Sequence, residues 1–192
     1  MPTLEEEEAF SHLRARQGAG ARYDAEGAPS HDLALARRGT AYFARLLNNL
    51  RNAGLYEASA ISGWSRAHVI AAVAYNAKDI TRMVEAVRMD LLQIDIPSED
   101  ERAEEIAYAA TLPAHALRNL FKHSEVHLNV EWRDLTDRNW QAILTTGRGQ
   151  RIPILQTPIM RAEAIWSRSI DLHAGGQISD LPEGLNYTRQ TA

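Results

Sequence analysis

The chain has 192 residues, 45% of them hydrophobic and 24% charged, which is enough for one well-buried core and gives no reason to expect two. Its formal net charge of −4, with Lys and Arg interspersed among Asp and Glu, argues against a nucleic-acid or anionic-membrane surface and for a small-molecule or protein partner. The absence of cysteine excludes disulfides, thiolate metal ligands and a thiol nucleophile of the protein's own, so any thiol chemistry must use an outside thiol.

The first thirty residues read as an arm (1–30) ahead of the main body (31–192). An acidic start, Glu5 to Glu8, favours a helix through Ala15; Gln17 to Arg22 breaks it, and Gly27-Ala28-Pro29-Ser30 punctuates again. The arm is expected to be a partly ordered tail or a piece that packs against a second copy in a homodimer. The start has no basic stretch followed by an apolar one, and no later run is long and apolar enough to span a bilayer, so a cytoplasmic location is expected.

In the body, a helix is predicted from about Asp32 to Ala53, because Leu35, Gly39, Tyr42, Phe43, Leu46, Leu47 and Leu50 share a face before Gly54. Ser65 is the expected N-cap of a second, running past Val87 with Val69, Val73, Asn76, Ile80, Met83 and Val87 near one stripe and Ala72 beside it, facing inward. Ser98 with Glu101 forms a capping-box signature for a third helix through about Ala110. Pro113 is expected at the first position of a fourth, which carries Leu117, Leu120, Phe121, Leu128 and Trp132. β-Branched runs either side of Gly147-Arg148-Gly149-Gln150 predict a short hairpin. Thr157 is then expected to cap, and Pro158 to open, a last helix that ends near Leu172 ahead of Gly175-Gly176. The fold class is mainly α, an antiparallel four-helix bundle with a short β-hairpin and an N-terminal arm.

Four motifs stand out: Gly63-Trp64-Ser65-Arg66-Ala67-His68-Val69-Ile70-Ala71, Ser124-Glu125-Val126-His127-Leu128-Asn129-Val130-Glu131-Trp132, Arg161-Ala162-Glu163 and Asp171-Leu172. Through them the stretch from about Ala36 to Leu185 resembles the mycothiol-dependent maleylpyruvate isomerase family of the DinB-like superfamily. The resemblance implies a zinc-bound external thiol that adds reversibly to the double bond of maleylpyruvate and releases fumarylpyruvate. It also implies three zinc ligands, a His eight residues after the helix-opening Trp and a Glu-x-x-x-His. Carried over residue by residue, those positions are Ala72, Glu163 and Ser167, so two of the three are substituted. No metal ligand set and no resident cofactor are therefore expected. An external low-molecular-weight thiol stays a candidate, and zinc would need a site rebuilt through His68 or His127. Arg102 matches an Arg that the family uses near its substrate, which implies a bidentate clamp on a substrate carboxylate.

The residues themselves leave alternatives open. Glu163 pointing into the bundle would be a carboxylate in low dielectric, its pKa raised by desolvation, suited to acid/base work; Ser167, one turn on, could hydrogen-bond it or a substrate. The plainer reading is an ion pair with Arg161, Arg102 or Arg168. His68, Ala72, Tyr75 and Asn76 are candidate substrate-lining residues on the second helix, and equally core or helix-start residues. His123 and His127, four apart, have metal-binding spacing, but His127 at the edge of the buried face suits a polar or substrate-contacting role better. Three functions follow: a metal-independent isomerase-like enzyme with Glu163 as acid/base and Arg102 as clamp, a zinc- and thiol-dependent isomerase with a rebuilt or engineered site, or a noncatalytic small-molecule-binding protein.

Overall fold

The apolar face of the first predicted helix folds as α1 (Ser30–Asn49), burying Leu33, Leu35, Ala36, Gly39, Phe43, Leu46 and Leu47. In the computed structural model, which describes residues 24–187, α1 stops short of the expected Ala53, and Asn52–Tyr56 forms a separate 3₁₀ turn. The reason lies outside the helix. Arg118 donates to the carbonyls of Leu47 and Leu50 at 2.9 and 2.7 Å, satisfying acceptors that a longer helix would have used.

Helix α2 (Arg66–Arg88) begins where Ser65 predicts, and β1 (Gln93–Ile94) follows it. Helix α3 (Glu99–Ala109) carries the capping box: the Glu101 amide donates to Ser98 Oγ at 3.2 Å and the Ser98 amide to Glu101 Oε2 at 2.7 Å. Helix α4 (Ala114–Arg133) takes Pro113 as its cap rather than its first residue. A single turn, α5 (Asp137–Trp140), precedes the hairpin of β2 (Ile143–Thr146) and β3 (Arg151–Pro153). Helix α6 (Thr157–Asp171) has Thr157 inside it, and the Thr157 hydroxyl donates back to Ile154 O at 2.8 Å.

The predicted hairpin is antiparallel, with Leu144 opposite Ile152, and β1 joins β2 in parallel to make a three-stranded sheet in the order β1-β2-β3. Two residues of β1 are too few for any periodicity to announce them.

Cross-helix bonds give the bundle its topology. Thr40 reaches Glu125 while Arg37 reaches Asn129, so α1 and α4 are antiparallel. Arg161 meets Val73 and Asn76 while Arg168 covers Trp64, so α2 and α6 are antiparallel too. Within the other neighbouring pairs the helices run the same way: α2 with α4, where Glu85 meets His127 and Arg88 meets Glu131, and α1 with α6. The bundle is thus two parallel pairs set against each other, with α3 carrying the chain back between α2 and α4. The main core lies among the four long helices and reaches Trp140, Leu144 and Ile152 beneath the sheet.

The acidic helix expected before Ala15 lies outside the described residues. Residues 24–29 turn back onto the body: Asp24 accepts from Arg37 at 2.6 and 2.7 Å, and the Gly27 amide donates to Asp137 Oδ1 at 2.8 Å. Among the described residues no helix is long and apolar enough to cross a membrane.

Candidate functional site

Residues three or four apart on a helix share a face, and on α2 one such row is His68, Ala72, Tyr75 and Asp79, with Trp64 just ahead of the helix extending it. The middle of the row is lined by small groups: Ala71, Ala72, Ile106 and Ala109 form a cluster of their own, with Trp64, Tyr75, Leu112 and Leu120 packed around it. Guanidinium groups stand at the two ends. Arg168 covers the Trp64 ring at 5.2 Å, and Arg102 covers the Tyr75 ring at 4.8 Å and pairs with Asp79 and Glu105. The row therefore has an apolar centre with a guanidinium at each end.

Local contacts set the state of each polar group. His68 Nδ1 lies 2.8 Å from Ser65 Oγ and accepts the Ser65 amide at 3.2 Å, which fixes the neutral ring's proton on Nε2. Burial holds this imidazole below the usual histidine range, and the ring lies 5.7 Å from that of Trp64. Burial also lifts the Asp79 carboxyl, against the pull of Arg102 and Arg82, and raises the Tyr75 hydroxyl. At the other end, burial lowers Arg168 while Asp171, 3.2 Å away, works against the shift.

Glu163 lies elsewhere. The face of α6 that looks at α2 is marked by Arg161, which donates to Val73 O at 2.9 Å and Asn76 Oδ1 at 2.7 Å, and by Arg168 over Trp64. At about 100° per residue, Ala164 stands within about 60° of both, while Glu163 is turned about 160° from Arg161. Glu163 is exposed, so the expected burial of its carboxylate in the bundle is not found. Ser167 is buried, 8% exposed, at the edge of the same face.

The donor set that the resemblance implies does not fit a zinc ion. Position 72 offers a methyl group, 163 an outward carboxylate and 167 a hydroxyl. A carboxylate and an imidazole four apart and facing Ala72 would have to stand at positions 164 and 168, where the chain has Ala and Arg. No chemical step through a metal is derived at this place.

The remaining candidates divide. His68, Ala72 and Tyr75 come together on the α2 row, with Arg102 at its end. Asn76 does not join them, because its side chain is held by Arg161 in the core. His127 is also apart: it meets Glu85, thirteen residues beyond Ala72 and so about 20 Å along α2. A zinc site rebuilt through His127 would therefore not occupy the Ala72 position. Arg168, which the sequence suggests only as a partner for Glu163, stands instead over the Trp64 ring. Its spacing from Arg161, seven residues or two turns, was the signal that both share the α2-facing side.

Residues 36–173 match the family model of the mycothiol maleylpyruvate isomerase N-terminal domain. Two solved structures, of the mycothiol-dependent maleylpyruvate isomerase and of a histidine-to-alanine variant of it, are each 37% identical to this chain with a TM-score of 0.74. The match covers 81% of this chain and 65% of theirs, so the chain spans about two thirds of the length of those proteins. No curated protein matches it. The bundle, its motifs and this likeness together place the chain in the mycothiol maleylpyruvate isomerase N-terminal domain family.

Proposed function

We propose that the chain is a cytoplasmic maleylpyruvate isomerase-like enzyme. It handles a small carboxylate on the α2 row without a metal there, having diverged from zinc- and thiol-dependent cis–trans isomerisation by losing the metal while still using an external thiol. The observation that carries this reading is the 37% identity to a mycothiol-dependent maleylpyruvate isomerase, taken with an apolar row bracketed by Arg102 and Arg168. An external thiolate that adds to a carbon–carbon double bond, allows rotation and is then expelled returns the thiol unchanged. Cations nearby favour both the thiolate and the substrate's carboxylate.

In this reading Arg102 is the carboxylate clamp. Asp79 holds it from the protein side, while Glu105, whose side chain is 42% exposed, is the partner a substrate would displace. The proton-carrying role passes from Glu163 to His68, which is neutral and presents Nε2–H, and Ser167 and Tyr75 border the bound ligand. Glu163 remains an acid/base candidate only from the exposed side of α6. Steady-state assays of maleylpyruvate isomerisation with mycothiol test these roles. Arg102→Ala is expected to raise KM at least tenfold, and Glu163→Gln to leave kcat within twofold. A tenfold fall in kcat for Glu163→Gln would return the acid/base role to that residue.

A further inference from the structure

About 20 Å along α2 from Ala72, three side chains converge that the isomerase reading leaves unused. Glu85 on α2 faces His127 and Glu131 on α4, and the last two, four residues apart, share a helix face. His127 Nε2 lies 3.0 Å from Glu85 Oε1 and 3.6 Å from Glu131 Oε1, and one donor atom from each residue falls within 4.8 Å of the others. In a tetrahedral zinc site with bonds of about 2.1 Å, donors stand about 3.4 Å apart, and the two His127 pairs already lie near that spacing.

A second observation points the same way. Glu131 is 5% exposed, and its Oε2 is buried without a hydrogen bond. The nearest cation, Arg88 Nε, is 3.0 Å from Oε2 and outside hydrogen-bonding geometry, while the Arg88 Nη2 group donates to Oε1 at 3.2 Å. A carboxylate has lone pairs for more than one partner. Glu85 and Glu131 put two carboxylates beside the His127 ring, a donor set that favours a dication.

We infer that Glu85, His127 and Glu131 form a site for a divalent first-row metal of zinc-like softness, which ties α2 to α4. One imidazole and two carboxylates suit zinc, manganese or iron(II) better than Ca²⁺ or Mg²⁺, and three protein ligands leave positions for water. The site is independent of the isomerase reading. His127 is then a metal ligand and not a substrate contact.

The test is calorimetric titration of the chelator-treated full chain with Zn²⁺, together with visible absorption on adding Co²⁺. One ion per chain is expected, with affinity falling at least tenfold in both Glu85→Gln and His127→Gln and holding in His123→Gln. Circular dichroism is expected to show each variant folded, since the Glu85 and His127 side chains are 30% and 55% exposed. Absence of saturable binding, or binding that survives both substitutions, would overturn the inference.

Discussion

Arg161 is fully buried, which is rare for a guanidinium, and the surrounding groups explain why it is tolerated. It pairs with Glu125, donates to Val73 O and Asn76 Oδ1, and Glu125 in turn accepts from Thr40 at 3.0 Å. Burial pulls the guanidinium down to about 9, which leaves it charged at neutral pH opposite Glu125. Removing one member strands the other charge. Arg161→Met is therefore expected to cost about 3–5 kcal/mol in urea unfolding, and the double variant with Glu125→Leu to recover most of it. Equal losses in the single and double variants would show that packing, not the ion pair, sets the cost. The same residue shows what was and was not legible. Arg161-Ala162-Glu163 was recognisable as a motif, yet which of these side chains faces α2 depends on the rotation of α6, which only packing fixes.

At the scale of elements, local chemistry was the readable part. Ser65, Ser98 with Glu101, and Pro158 marked helix starts because a cap is settled by neighbours in sequence. The early end of α1, the strand β1 and the single turn α5 were not readable, since Arg118 and the β2 strand that govern the first two come from far along the chain. Gly39 is a readable residue with an unreadable reason. A Cβ there would stand 2.6 Å from Ile165 Cγ2 and 2.8 Å from Trp166 Nε1, which is held by its bond to Leu35 O at 3.1 Å. Gly39 thus sets how closely α1 and α6 approach. Gly39→Ala is expected to destabilise by about 1–3 kcal/mol despite alanine's better helix propensity, as measured by thermal unfolding. A variant more stable than the parent would mean that α6 yields without cost.

For the molecule as a whole, the bundle places two clusters along α2, one centred on Ala72 and the other, about 20 Å further on, at Glu85, His127 and Glu131. Helical periodicity made the bundle legible, and the motifs made the family legible. Neither could say that His127 belongs to the second cluster, because that depends on α2 and α4 lying side by side in the same direction. The separation also gives the metal-free proposal a sharp form: stripping a cation from the second cluster should leave chemistry on the first intact. The most direct measurement is isomerisation of maleylpyruvate by the chelator-treated chain with mycothiol as the added thiol. The account predicts thiol-dependent formation of the trans product at a rate unchanged by the chelator. Turnover that appears only when zinc is restored, or no turnover with the thiol present, would contradict it.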